Sequence, residues 1–311
     1  MSAEVEKFLG AGTTLSNRDN LPTGKGRMNQ SFGGDIRKIV LGRMLAQVAI
    51  VPMDVPQPSL VGYDGDEQML AAVKGNVAGT TLTLKGEIPF KAGGAHNPFG
   101  SNVFMGGNVT ITGGSFSSFS SSGGSGGTII LDGREVDLDR SIQLVLIIPK
   151  TTNIKVSGLI GAVGITDYLD AELDFSPSIR AELVASGVKS LIGDLSGSGK
   201  ASLTSVTEDA DLEVSGSGTF TIGEVAGNVD AKVSGSGNVT ISRGTSLKFR
   251  GSVSGSGNVS HYGTVRGNAR LRVSGSGNAV ATRVDGEVDR SVTGSGQVTV
   301  NGTTYRPRHG W

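Results

Sequence analysis

Residues 228–241 read NVDAKVSGSGNVTI, two alternating apolar runs on either side of a Ser-Gly-Ser-Gly tetrapeptide. The tetrapeptide recurs. SGSG begins at Ser196, Ser215, Ser234, Ser254 and Ser274, and TGSG begins at Thr293, so the intervals are 19, 19, 20, 20 and 19 residues. Counting back by 20 and then 19 reaches Ser176 and Ser157, which carries the register to Ile154. A fixed period of this length marks an architecture of stacked repeats.

Within each unit the apolar residues fall into columns. Leu195, Val214, Val233, Val253, Val273 and Val292 precede the turn without a break. After the turn come Ala201, Phe220, Val239, Val259, Ala279 and Val298, and two residues later Leu203, Ile222, Ile241, His261, Ala281 and Val300. A third apolar position falls near Val206, Val225, Leu247, Val265 and Val284, before a second turn at Gly227, Gly267 or Gly286. The alternation has period two, as a strand with one buried face requires. Each unit therefore reads as one coil of an all-β parallel solenoid, with equivalent residues stacked at roughly 4.8 Å. Eight units of this spacing predict a rod on the order of 40 Å. Glycine at the corners is expected to supply turn conformations that other residues resist, and the narrow interior is expected to fit large rings poorly.

Composition narrows the function classes. The chain has 311 residues, of which 50 are glycine, and its 28 Lys and Arg balance 28 Asp and Glu. A nucleic-acid partner is not expected of a chain with no net positive charge. There is no cysteine, which removes disulfides, zinc thiolates and thiol nucleophiles. The apolar stretches 36–53 and 142–149 are charge-interrupted or short, so membrane insertion is not expected. The start, MSAEVEKFLG, has no apolar signal segment. A soluble product of the cytoplasm is the expectation, with a cell or particle surface reached by another route.

The organisation reads as a polar arm at 1–35, a single solenoid domain at 36–303 and a tail or cap at 304–311. Regular repeats fill 154–303, and a Gly/Ser-rich insertion at 92–128 reads as a flexible loop or as glycine-rich β-coils. DEQMLAAV, Asp66–Val73, predicts one short helix with Asp66 as its N-cap.

The order of these pieces carries a resemblance. SLVGYDGDEQMLAAVKGNVAGTTLTLKG at 59–86, IIPKTTNIKVSG at 147–158 and SGSGNV at Ser234 and Ser254, with SGSGNA at Ser274, resemble the adhesin head-domain family called the GIN domain. The resemblance covers roughly 36–300. It implies a right-handed parallel β-helix and membership among mostly exported bacterial proteins of ill-defined function. The chain departs from that pattern in lacking a visible export signal and in the Gly/Ser-rich segment between Lys91 and Thr128.

No constellation for catalysis, cofactor or metal emerges. His96, His261 and His309 have no metal-ligand spacing, and His261 stands in an inward column as a core residue. GDLSGSGKAS fails as a phosphate loop, because Asp194 stands where its first glycine is needed and Ala201 where a hydroxyl is needed. Asp211 and Asp230 would stack about 5 Å apart, near the separation of a retaining glycosidase pair, but on an open face without a cleft. The chain therefore reads as a non-enzyme.

Surface columns are the candidates for binding. Asn238, Asn258 and Asn278 predict a hydrogen-bonded ladder or a strip for a cell-surface glycan. Arg250 and Arg270 lie in a column with Asp211, Asp230 and Asp289 that reads as a solvated face. Tyr305, Arg306, Arg308 and Trp311 predict either a cap or contacts to a protein partner. The expected function is a rigid structural or adhesive module. The alternatives are a self-associating assembly component, such as a virion decoration or filament protein, and a carbohydrate-binding or carbohydrate-cleaving solenoid.

Overall fold

The computed structural model describes residues 28–95, 102–104, 109–112, 128–131, 134–177 and 180–307. It is nearly all β and forms a solenoid of about seven turns with one short helix. Eight turn positions, from Ser157 to Thr293, delimit seven complete coils.

Two parallel stacks run along the solenoid. The strands before each turn, Ala210–Val214, Asn228–Val233, Lys248–Val253, Ala269–Val273 and Val288–Val292, pair in sequence order. The strands after each turn, Lys200–Val206, Thr219–Val225, Asn238–Ile241, Asn258–Val265, Asn278–Val284 and Gln297–Val300, do the same. The apolar columns point into one continuous core, with Val214, Phe220, Ile222, Val239 and Leu271 fully buried. Such a stack is stabilised mainly by contact between neighbouring coils.

The SGSG turns do not use glycine for a left-handed backbone. Positive φ occurs at Gly34, Gly65, Gly79, Gly161, Gly244 and Gly302, none of which lies in an SGSG turn. The glycines are required by close approach instead. A methyl group on Gly257 would overlap the carbonyl of Gly237, and one on Gly255 that of Gly235. The stacked turns are held by backbone bonds such as Ser236 N–H to Gly216 O at 3.0 Å and Ser256 N–H to Gly235 O at 3.0 Å.

The core also holds larger rings than its width suggests. Phe175, Phe220 and Phe249 are fully buried. Inward-facing glycines make the room: a side chain on Gly193 would strike Phe220, and one on Gly251 would crowd Phe249 and Leu271. The third apolar column also needs one correction. Leu247 is about half exposed, at 52%, and Ser246 occupies the buried position in register with Val265.

The layers ahead of the repeats are built from residues far apart in the chain. Lys38–Leu41 lies between Asn153–Val156 and Thr81–Lys85, and Met44–Met53 lies between Leu159–Phe175 and Ile142–Pro149, all in parallel, so the excursion from Met53 to Asn153 itself lays down a further layer of the stack. The excursion includes the helix Glu67–Ala71, whose Asp66 side chain accepts from Gln68 and Met69 N–H at 3.0 Å. Arg140 also binds Asp66, at 2.8 and 3.1 Å, and chiefly for that reason the carboxyl is held down at about 2. Most of the Gly/Ser-rich segment 92–128, including the run 113–127, lies outside the described residues. Phe90–Ala95, Asn102–Phe104, Val109–Thr112, Thr128–Leu131 and Arg134–Val136 form a separate antiparallel sheet. Ile129, Leu131 and Val136 from it pack on Leu45 and Ile160, which face away from the solenoid core.

Candidate interaction surface

The asparagine directly after three successive turns, Asn238, Asn258 and Asn278, sits on an outward position of its strand, in register with its neighbours. Asn258 Nδ2 donates to Asn238 Oδ1 at 2.8 Å, and Asn278 Nδ2 donates to Asn258 Oδ1 at 2.8 Å. Thr219 and Gln297 stand at the two ends of the row. All three asparagines are half-buried. Asn258 both accepts and donates along the axis, so its amide is engaged inside the protein.

The opposite-signed column lies on the other stack. Asp211, Asp230, Arg250, Arg270 and Asp289 follow one another in register, each outward because its strand neighbours point into the core. Arg250 lies 3.4 Å from Asp230, and Arg270 lies 2.7 Å from Asp289. The side chains are 30% to 54% exposed, where such a pair contributes up to about 1 kcal/mol. Asp211 and Asp230 are register neighbours on this sheet face, Asp211 exposed and Asp230 half-buried. A crevice lined by Ile129, Glu182, Ser198 and Lys200 is about 10 Å³, room for roughly one water, and a wide open hollow of about 530 Å³ lies beside Gln68, Lys74, Lys85 and Glu87.

The C-terminal tail folds back on the last coil. Thr303–Tyr305 pairs antiparallel with Gln297–Val300, placing Tyr305 opposite Val298. The Arg290 guanidinium lies 3.6 Å from the centroid of the Tyr305 ring. Arg306 Nε donates to Gln297 Oε1 at 3.3 Å. Tyr305 and Arg306 are thus engaged within the chain, whereas Arg308 and Trp311 lie outside the described residues, as do His96 and His309.

The residue reading by sequence missed a buried polar pair. His261 is fully buried, and its Nε2 lies 2.9 Å from Ser246 Oγ. Ser246 Oγ donates to Val225 O at 2.7 Å. The hydroxyl has a single hydrogen, so His261 Nε2 carries the proton and donates to it. Nδ1 is left as a buried acceptor without a well-formed hydrogen bond. Burial pushes the imidazole below its ordinary range. The signal for Ser246 was present in the spacing, since it stands 19 residues before Val265, the repeat period.

The family described as "Putative auto-transporter adhesin, head GIN domain" matches residues 61–264 and again 189–304. The chain belongs to the GIN domain family. The two GIN matches overlap over 189–264, as near-identical coils allow. No curated protein matches the chain. Among solved structures, the crystal structure of a "putative adhesin" from Parabacteroides distasonis is similar at a TM-score of 0.54 and 16% identity, covering 89% of this chain and 98% of that one. A "putative adhesin" from Parabacteroides merdae has a TM-score of 0.49 and 13% identity, covering 89% and 97%. At this identity the first likeness concerns the fold alone. No described helix is long and apolar enough to cross a membrane.

Proposed function

We propose that this GIN domain chain is a non-enzymatic, rigid module that adheres at a cell surface through its lateral sheet faces. The observation that carries the reading is the unbroken parallel stack from Lys38–Leu41 to Val288–Val292 around one continuous apolar core. A structure of that kind has little freedom to close around a substrate, but it holds columns of outward side chains at a fixed spacing of about 4.8 Å. Its chemistry is recognition by a patterned face. The "adhesin" descriptions of the family and of the similar structures support the same reading.

The carbohydrate-binding reading is weaker, because the asparagine row spends its amides on itself. The test is to coat fluorescent beads with the full chain and measure their retention on bacterial and host cell surfaces, beside a reducing-end assay on extracted surface glycans. Retention above albumin-coated beads with no release of reducing ends is expected. Release of reducing ends that depends on Asp211 and Asp230 would overturn the non-enzymatic reading, and retention no greater than albumin would overturn the adhesive one.

A further inference from the structure

The chain is neutral as a whole, yet its charge is segregated along the rod. Residues 159–233 carry twelve Asp and Glu against four Lys and Arg, a net of −8. Residues 234–307 carry three against nine, a net of +6. The stack therefore changes sign abruptly between one coil and the next. The change is sharpest on the face formed by the strands that precede the turns. Asp211 is in register with Asp230, then Arg250, then Arg270. In the column two residues further on, Glu213 is followed by Lys232, Ser252 and Arg272. Asp211, Glu213, Arg250, Arg270 and Arg272 are all exposed.

For a chain that acts alone this order is costly. Like charges directly across neighbouring strands repel, and both Asp211 beside Asp230 and Arg250 beside Arg270 are of this kind. Alternating signs would have relieved the repulsion within the chain, as Asp289 does for Arg270. Among the described residues, no ion pair within the chain engages Asp211 or Glu213. The block order becomes favourable when the same face meets itself inverted.

We propose that this face is a homotypic contact, in which two copies of the chain lie side by side with their rod axes antiparallel. A two-fold axis along the strand direction, passing between the coils of Asp230 and Arg250, keeps each column facing its own counterpart and reverses its order. Asp230 then faces the second copy's Arg250, Asp211 its Arg270 and Glu213 its Arg272, and every pair occurs twice. An interface of this isologous kind is closed and stops at two copies. The matched patch spans four coils, about 14 Å of rod. Parallel alignment in the same register would set Asp against Asp and Arg against Arg, so the charges select the direction. Because charge supplies the complementarity, the pairing is fast, moderate in strength and sensitive to salt. It goes beyond the adhesive reading and fails separately from it: a strictly monomeric chain could still hold to cells.

Sedimentation of the full chain tests the proposal. A dimer is expected at about 20 mM salt, dissociating as ionic strength rises to about 500 mM and the screening length falls below a coil spacing. The double variants Asp211→Arg with Glu213→Arg, and Arg270→Glu with Arg272→Glu, should each weaken self-pairing by more than about tenfold. Mixing the two variants should restore a dimer, because every reversed charge then meets its opposite. Unchanged circular dichroism of each variant separates lost pairing from lost folding. A wild-type chain that stays monomeric at low salt, or variants that fail to pair when mixed, would overturn the proposal. So would a monomer retained on a sulfated polysaccharide through Arg250 and Arg270, which would assign the basic coils to a polyanion.

Discussion

At His261 a group that gains a proton near neutral pH sits in an otherwise apolar column, between Ile241 and Ala281. Its Nε2–H is satisfied by Ser246, and its Nδ1 makes no well-formed hydrogen bond. Protonation would place a full charge in the core, and the backbone groups of Gly263 and His261 that favour the charged ring offset only part of that burial cost. Burial accordingly lowers the folded imidazole below its ordinary value near 6.5. Where the unfolded chain binds a proton that the native chain refuses, stability falls as pH falls. The loss should begin below about pH 6.5 and approach about 1.4 kcal/mol per pH unit at its steepest. Thermal melts at pH 7.5 and pH 5.5 should show a lower midpoint at the acid value. The paired change His261→Ile with Ser246→Ala should flatten that difference, since the column then matches its neighbours. A dependence that survives the paired change would place its origin elsewhere. Asp66, held at about 2 by Arg140, loses its contribution only at much lower pH. Glu182, raised by burial, acts in the opposite direction near its own range.

At the scale of the coil, the turn sequence is legible but its reason is not. The 19–20-residue period fixes the number and order of strands after Ser157, because apolar alternation and turn residues repeat with it. The demand for glycine arises between coils, where one turn lies against the carbonyls of the one before, and a single unit shows nothing of that approach. Gly257→Ala and Gly277→Ala should each lower stability by about 1–3 kcal/mol, as overpacking does. Gly33→Ala, where an added methyl meets nothing, should stay within about 0.5 kcal/mol of the parent. Urea midpoints measure both, and equal effects at the two kinds of site would refute the close-approach explanation. The same limit hid Ser246, because the eye follows hydrophobicity to Leu247 while the stack follows register to Ser246. It also hid the layers ahead of the repeats. Lys38–Leu41 and Asn153–Val156 are neighbours in space but lie far apart in the chain, and no periodicity connects them. The pairing of the side sheet was hidden in the same way, since Phe90–Ala95 meets Arg134–Val136 and Val109–Thr112 meets Thr128–Leu131 across stretches that no period spans. Of the surface columns, the asparagine row and the charged row could be read from spacing alone, whereas the internal use of Tyr305 and Arg306 depends on a turn at Asn301 and Gly302 that reverses the chain.

For the whole molecule, a solenoid must end, and each end of a parallel stack presents unpaired backbone and an uncovered core. At the C-terminal end the hairpin closes one stack. Thr303–Tyr305 occupies the free edge of Gln297–Val300, and Arg290 clamps the Tyr305 ring. The other stack ends at Val288–Val292, whose flanking valines are only partly buried. Removal of residues 302–311 should therefore bare Val298 and Val300 along a free edge and release Arg290. Because coils are held chiefly by their neighbours, the damage should be graded rather than uniform. Amide hydrogen exchange should quicken most in Gln297–Val300, less in Asn278–Val284, and hardly at all in Lys200–Val206. Tyr305→Ala should reproduce a smaller part of the same gradient, because it keeps the hairpin strand and removes only the clamp. Acceleration spread evenly over every coil would show that the rod unfolds as one unit, and no acceleration would show that the last coil needs no cover. A gradient confined to the terminal coils would identify the hairpin as the stop that keeps a neutral, charge-segregated rod from growing through its own end and leaves its lateral face as the surface for contact.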